Sequence, residues 1–360
     1  MSAKLGLYIH IPFCKRKCFY CDFVSVVYSE ESSINYINSL LKEALYYKNE
    51  KINTIYVGGG TPSILTTNSL EKLISNIKLI FDISNLEEFT IELNPESTTK
   101  NKLELLYSLG ITRISFGLQS IKDIRLRELG RLHNYGKFIE SYNMALETGF
   151  NDINIDLMYG IPNQTLEEWE STLNNTLKLN SAHISLYPLT IEPNTLFYEQ
   201  NIQTNGNLQR KMYDIACDIL KEEKYCHYEI SNWAKENKFS RHNKLYWQNN
   251  EYIGLGVSAS SYYKRYRYKN TTDLNRYIEL INEGKNHIIE KEYIDDNLYN
   301  IETIMLGLRL KDGVDINLFK GKEDILKNFI NEKLLQVKNE KVSLTQKGLF
   351  VSNSVISEFV

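Results

Sequence analysis

The sequence lacks any apolar run approaching the roughly 18 residues that a membrane-spanning helix needs. It lacks an excess of either charge: 42 Lys and Arg stand against 45 Asp and Glu, for a net charge of −3. That is not the basic footprint of a nucleic-acid binder, so no nucleic-acid partner is expected. Cysteine is scarce, with 5 in 360 residues. Four residues precede the first strand-like segment, which leaves no room for a signal peptide. The expectation is therefore a cytoplasmic protein with reduced thiols. There is no low-complexity tract and no residue-level repeat. Hydrophobic residues at 42% and charged residues at 24% are ordinary globular usage, which excludes disordered and fibrous classes. The length suits one large domain plus a small one.

What is present is an alternation of two hydrophobic periods over the first 230 residues. Leu5 to Ile11 reads as a strand. Ser32 to Lys48 has helical spacing, with Ser32 or Ser33 as N-cap. Strands follow at 54–57, 89–93, 113–117, 153–158 and 183–188. Helices follow at 69–81, 100–109, 138–148, 166–179 and 208–223. Six strand–helix units in a row predict an α/β fold with a parallel sheet, open or curled into a partial barrel. In barrels, chemistry gathers on the loops after the strands. After Glu229 the pattern changes to an aromatic-rich stretch read as irregular structure followed by strands. The last stretch, 291–360, reads as helix, helix, hairpin, helix, an order like that of a winged helix. It carries ten Lys and Arg against eleven Asp and Glu, which favours packing or partner binding over DNA. Three divisions are expected: 1–230, 231–290 and 291–360.

Three of the five cysteines, Cys14, Cys18 and Cys21, fall within eight residues. Three thiolates on one short loop suit three irons of a [4Fe-4S] cluster and leave the fourth iron open, whereas electron-transfer clusters use four cysteines. Lys15, Arg16 and Lys17 favour thiolates and balance an anionic cluster. The alternative is a zinc site completed by His10, whose spacing is unusual for zinc.

The stretch Tyr8-Ile9-His10-Ile11-Pro12-Phe13-Cys14 through Cys21 resembles the radical S-adenosylmethionine (SAM) superfamily. More narrowly, it is similar to the oxygen-independent coproporphyrinogen III oxidase group, and the resemblance covers nearly the whole chain. It implies a partial (βα)6 barrel with a small winged-helix-like C-terminal domain. It also implies that the open iron chelates the amino and carboxylate groups of SAM, which the reduced cluster cleaves. Gly58-Gly59-Gly60-Thr61-Pro62 follows the second strand; glycines allow close backbone approach to a ligand. The resemblance implies that Gly59, Gly60 and Thr61 contact the methionine end of SAM. Glu92, Gln119, Arg131 and Asp156 lie at strand ends and resemble the family's SAM pocket residue for residue. Singly, each is an ordinary loop polar residue. Tyr8 and Tyr20 match positions beside the cluster and the adenosyl group.

Arg241-His242-Asn243-Lys244-Leu245-Tyr246-Trp247 is the second informative stretch. A His can ligate haem iron and aromatic rings can cover a porphyrin face; the plain alternative is a hydrogen-bonded loop His beside core aromatics. The His-Asn-x-x-Tyr-Trp pattern, and Tyr228-Glu229-Ile230-Ser231-Asn232 before it, resemble the HemW branch of the family. That implies haem binding through His242, Tyr246 and Trp247. Loss of His242 is then expected to leave the cluster and SAM binding intact. Arg265, Arg267 and Lys269 share one strand face and suit propionates or anionic lipid; the plainer reading is an edge strand kept soluble by charge.

Two functions follow from the resemblance: radical decarboxylation of coproporphyrinogen III, or a haem chaperone that binds haem and passes it to acceptor haemoproteins. The decarboxylases carry another Cys two residues after the third cluster cysteine, where this chain has Phe23. They have a longer arm before the Tyr8-like residue and lack His-Asn-x-x-Tyr-Trp. The expectation is a HemW-like chaperone with a [4Fe-4S] cluster, SAM and haem. It would be a homodimer, peripheral at the inner face of the membrane, with no coproporphyrinogen III oxidase activity. A radical SAM enzyme of another substrate class is the remaining alternative.

Overall fold

A computed structural model describes residues 4–235 and 238–359. Six strands build its frame: β1 (Leu5–Ile11), β2 (Thr54–Gly59), β3 (Glu88–Leu93), β4 (Arg113–Gln119), β5 (Ile153–Tyr159) and β6 (His183–Pro188). They are rich in Ile, Leu, Val and Phe and buried on both faces, as parallel strands covered by helices must be. Neighbours pair in parallel in the order β1 to β6. Each is followed by a helix: α1 (Glu30–Ala44), α2 (Thr67–Ile80), α3 (Lys100–Ser108), α4 (Tyr135–Thr148), α5 (Leu166–Leu177) and α6 (Gly206–Glu222). All six start the same way. Ser29, Thr66, Thr99, Asn134, Thr165 and Asn205 each accept the amide three residues on. The cap of α1 is Ser29 rather than Ser32 or Ser33, because Glu30 and Glu31 already form its first turn. The result is the expected partial radical SAM barrel.

The sheet runs past the barrel at both ends, to twelve strands. Beside β6 lie Asn232–Ala234 and then Cys226–Glu229, both antiparallel. Beside β1 lies Glu251–Leu255, which is parallel to it, followed by antiparallel Ser260–Tyr263, Tyr266–Asn270 and Ile288–Tyr293. The strand Tyr266–Asn270 is therefore not an edge: it has partners on both sides, and the edge is Ile288–Tyr293. Arg265 does not share its face with Arg267 and Lys269, because it lies in the preceding turn with φ +65°. The two arginines are also spoken for. Arg267 forms an ion pair with the buried carboxylate of Glu302, and Arg265 pairs with Asp296 at 3.0 Å. Both partners lie on the helix Asp296–Gly307, so this strand docks the C-terminal unit. That unit continues through Val314–Asp315, the helix Glu323–Asn331, the hairpin Leu335–Lys338 and Lys341–Leu344, and two short helices. Its three strands form their own sheet, in the winged-helix order.

Where irregular structure was expected, residues Arg241–Trp247 form a helix. Ser240 caps it by accepting the Asn243 amide at 3.3 Å. Glu88, the first residue of β3, accepts from the amides of Arg241 at 2.7 Å and His242 at 3.2 Å. A carboxylate is favourable there, since it meets the free amides of a helix start. The helix packs at the N-terminal ends of β1, β2 and β3 and closes the barrel base. Among the described residues no helix is long and apolar enough to cross a membrane.

Candidate functional site

At the opposite end, the C-terminal ends of the strands enclose a cavity of about 450 Å³. Its walls include Cys14, Cys18, Cys21, Tyr20, Gly59, Gly60, Thr61, Glu92, Gln119, Arg131 and Asp156. Every expected cluster and SAM residue except Tyr8 therefore faces one space.

The cysteine loop is held by backbone on three sides. Phe13–Cys14 pairs with Val26–Val27. Gly60 and Thr61 donate their amides to the carbonyls of Ile11 and Phe13, each at 2.8 Å. Phe19 donates to the carbonyl of Leu129 at 3.1 Å. A Cβ on Gly60 would lie 2.8 Å from the Phe13 carbonyl oxygen and 3.0 Å from the Cys14 Sγ. Gly60 is thus required first by the cluster loop, and a side chain there would disturb the loop before reaching any ligand. Gly59 has a left-handed backbone, φ +109°, and a Cβ would strike the His10 ring at 2.6 Å.

The thiols suit a metal cluster. The Thr61 hydroxyl donates to Cys14 Sγ at 3.5 Å, and an Arg131 N–H donates to Cys18 Sγ at 3.6 Å. Burial pushes the Cys14 thiol up, and the Cys21 thiol up to about 11. The neighbouring cations act unequally: Lys17 lowers the Cys21 thiol, though less than burial raises it, and Arg16 donates to the Gly130 carbonyl at 2.8 Å. Three half-buried thiols without a disulfide partner are stabilised as thiolates by binding metal. His10 is not open to complete a zinc site. Its Nδ1 is 3.0 Å from the Tyr8 hydroxyl and its Nε2 is 3.0 Å from the Val24 carbonyl, a tie between β1 and the cysteine loop.

The rest of the cavity suits a polar, charged ligand. Asn94 joins two walls: its amide donates to Thr61 Oγ1 at 2.9 Å, and its Oδ1 accepts from Arg131 at 2.8 Å. Arg131 also donates to the Gly117 carbonyl at 2.7 Å, yet its Nε is buried without a partner. Gln119 Oε1 is likewise buried and unpartnered, on a residue with φ +69° at the sheet's irregularity between β4 and β5. Buried polar atoms are normally paired, and these two belong to residues that line the cavity. Asp156 accepts from Ser115 at 3.0 Å and Asn154 at 2.8 Å, and burial pushes its carboxyl up. Glu92 accepts from the Tyr56 hydroxyl at 2.7 Å and the Gly59 amide at 3.2 Å. Burial pushes its carboxyl up to about 7, against the Tyr56 hydrogen bond and with the charge of Asp156. Tyr20 packs beside Leu129, Met158, Leu189 and Phe197.

Sequence reasoning passed over Asn94, Tyr56, Glu96 and Asn243, all of which line this cavity. Asn94 lies two residues after Glu92, just past the end of the same strand. Tyr8 sits apart. It pairs in register with Tyr56 across β1 and β2, stacks on that ring at 6.3 Å, and burial raises its hydroxyl pKa.

His242, Tyr246 and Trp247 lie at the barrel base, not at the cavity. His242 is fully buried. Its Nδ1 is 2.8 Å from the Thr54 hydroxyl and its Nε2 is 2.8 Å from the Tyr246 hydroxyl. Its ring stacks on Tyr56 at 5.3 Å. Burial, with the charge of Arg113, pushes its pKa down to about 3, so the ring is neutral. Both ring nitrogens are therefore engaged, and the ring is part of the core. Trp247 packs under the Arg309 guanidinium at 4.4 Å, against the C-terminal unit.

Comparison with known proteins agrees with this architecture. Residues 8–175 match the radical SAM superfamily, and residues 301–351 match the HemN C-terminal domain. The chain is 36% identical to the heme chaperone HemW of Lactococcus lactis subsp. lactis over 98% of this chain and 96% of that protein. It is 33% identical to the heme chaperone HemW of Bacillus subtilis over 98% of each chain. The solved structure of the Escherichia coli coproporphyrinogen III oxidase HemN superposes with a TM-score of 0.87, over 99% of this chain and 90% of that one, at 20% identity. The two relatives are matched along nearly their whole length. The chain therefore belongs to the radical SAM superfamily and, within it, to the HemW heme chaperone family.

Proposed function

We propose that the protein is a haem chaperone that carries a [4Fe-4S] cluster on Cys14, Cys18 and Cys21, binds SAM in the barrel cavity, and delivers haem to acceptor haemoproteins. The observation that carries this reading is the match along 98% of the chain to proteins named heme chaperones. Phe23 supports it. It lines the cavity and is 57% exposed, where the decarboxylases of the resemblance carry a further cysteine.

When bound, the cluster supplies an electron and an open coordination site to SAM. The protein's own part is to hold the ligand. Arg131 offers a guanidinium N–H to a carboxylate, the form of contact at which Arg excels. Glu92 and Asp156 offer carboxylate oxygens to hydroxyl or ammonium groups. Gln119 and the backbone near Gly59 complete the polar wall. The sequence assigns haem to His242, Tyr246 and Trp247. For His242 to hold haem iron, one ring nitrogen would have to give up its bond to Thr54 or Tyr246 and become accessible. Homodimerisation and docking at a membrane face belong to the same reading and are tested by sedimentation and vesicle flotation.

A side-by-side assay tests the proposal. Anaerobically reconstituted protein is offered haem and, separately, coproporphyrinogen III with SAM and reductant. Stoichiometric haem binding, with transfer to an apo-haemoprotein and no protoporphyrinogen IX, is the expected result. Formation of protoporphyrinogen IX without haem transfer would replace chaperone by decarboxylase.

A further inference from the structure

We propose that His242 and Tyr56 are positioning residues for Glu92, so that the helix Arg241–Trp247 is the base plate of the SAM site. The inference rests on the reading of Glu92 as a SAM contact. Thr54 and Tyr56 are two residues apart on β2 and project to the same side of the sheet. His242 touches both. Its Nδ1 meets the Thr54 hydroxyl at 2.8 Å, and its ring stacks on Tyr56 at 5.3 Å with an interplanar angle of 27°. The Tyr56 hydroxyl then reaches up to Glu92 Oε1 at 2.7 Å, while the Gly59 amide holds Oε2 at 3.2 Å. Each carboxylate oxygen keeps further lone pairs for a ligand in the cavity.

The consequence is mechanical. One oxygen of Glu92 is set by where the Tyr56 ring stands. That ring is set by Tyr8 on the adjacent strand and by His242 below. Tyr246 fixes His242 in turn, through a 2.8 Å bond between its hydroxyl and Nε2. Hydrogen bonds weaken steeply with distance and angle, so a small shift of the Tyr56 ring turns the carboxylate away from its place on the cavity wall. Asn243, the residue after His242, itself lines the cavity, which shows that the helix reaches the ligand space directly. Loss of His242 is therefore read at the SAM site, contrary to what separation in sequence suggests.

SAM affinity of the cluster-loaded protein, measured by equilibrium dialysis without haem, tests this in four variants. Glu92→Gln is expected to weaken SAM by about tenfold. Tyr56→Phe removes only the hydroxyl between the layers and is expected to weaken SAM about fivefold. His242→Gln is expected to weaken SAM by about the same factor, and to add nothing in the Tyr56→Phe background, because both act through one bond. A general loosening of the barrel would instead multiply with Tyr56→Phe, and that result overturns the proposal. So does a normal affinity in His242→Gln when Glu92→Gln is impaired. Normal affinity in Glu92→Gln removes the SAM-contact reading itself and the proposal with it. Should His242→Gln not fold, Thr54→Val keeps the His242 ring and loses its Nδ1 partner. It is expected to weaken SAM about twofold, again with no further loss beside Tyr56→Phe, and a multiplicative loss there overturns the proposal equally.

Discussion

At the C-terminal ends of the barrel strands, Gln119 and Arg131 each keep a buried polar atom without a partner. At the N-terminal ends, His242 has a partner on both ring nitrogens, and Glu88 caps the helix that carries it. Both regions are polar, buried and rich in residue types that serve chemistry. The difference is in satisfaction. A polar group whose bonds are complete within the fold holds the structure, whereas one left incomplete awaits a ligand. The base has exceptions: Arg113 Nε and Asp152 Oδ1 face each other only as an ion pair at 3.6 Å, and Trp247 Nε1 and Arg309 Nε, stacked at 4.4 Å, have no hydrogen-bond partner. Residue type alone does not separate the two regions; the hydrogen-bond ledger of each side chain does.

The largest expected effect is at the cluster. Cys18→Ala should abolish the [4Fe-4S] cluster after anaerobic reconstitution, read by iron and sulfide analysis and by Mössbauer spectra. A normal cluster in that variant would break the assignment of the loop. Next come two arms that set the ends of the barrel against each other. Arg131→Ala should weaken SAM roughly 10- to 150-fold, the loss of about 1.5–3 kcal/mol from a charged hydrogen bond. Arg131→Lys should not restore it, because an ammonium lacks the fork that spans Asn94, the Gly117 carbonyl and the ligand. His242→Ala should cost about 2–4 kcal/mol of folding stability, read by denaturant unfolding. It opens a ring-sized void and strands the Thr54 and Tyr246 hydroxyls. If His242→Ala left stability unchanged, the base would not be the satisfied half of the comparison.

The barrel was legible because its strands and helices repeat at fixed periods; the one cap read from the sequence, Ser32 or Ser33, fell three or four residues inside the helix. The site was legible because its residues follow strands, where a barrel gathers its chemistry. Three things were not. The helix Arg241–Trp247 has seven residues, too few for a period to show, and its N-terminal amides are held by Glu88, about 150 residues earlier. The parallel partner of β1, Glu251–Leu255, comes from the far side of the chain and has no local signature. The charged strand Tyr266–Asn270 read as a soluble edge because its partners, Asp296 and Glu302, belong to a helix some 30 residues on. Local pattern shows which face of an element is buried, but not what it is buried against.

A smaller effect comes from pH. Burial pushes the Glu92 carboxyl up to about 7. Between its ordinary value near 4.3 and about 7, the folded protein therefore holds a proton that the unfolded chain has released. Stability contributed by this group falls as pH rises through that window. Glu92→Gln should flatten that part of the stability profile. Ligand binding should run the other way. If the ionised carboxylate accepts bonds from SAM, affinity should rise about tenfold between pH 6 and pH 8, as the charged fraction grows. The rise should vanish in Glu92→Gln. A pH-independent affinity in the unmodified protein would remove Glu92 from the ligand-facing wall of the cavity.

The smallest effect separates two neighbouring arginines, Arg265 in the turn before the strand Tyr266–Asn270 and Arg267 within it. Arg267 faces Glu302, whose side chain is 6% exposed, and Arg265 faces Asp296, whose side chain is 91% exposed. Removing Arg267 leaves a buried carboxylate without its partner, so Arg267→Ala should destabilise by roughly 3 kcal/mol, and Arg267→Ala/Glu302→Gln should recover part of that. Removing Arg265 breaks an ion pair already in water, and Arg265→Ala should change stability by less than about 1 kcal/mol. Neither substitution should alter haem or SAM binding, because both side chains are committed to the C-terminal helix Asp296–Gly307. The measurements are denaturant unfolding and haem titration on the same preparations. A weakened haem complex in Arg265→Ala with unchanged stability would show that this strand recognises propionates after all. It would then join the cavity on the ligand-facing side, although its charges are paired in the structure.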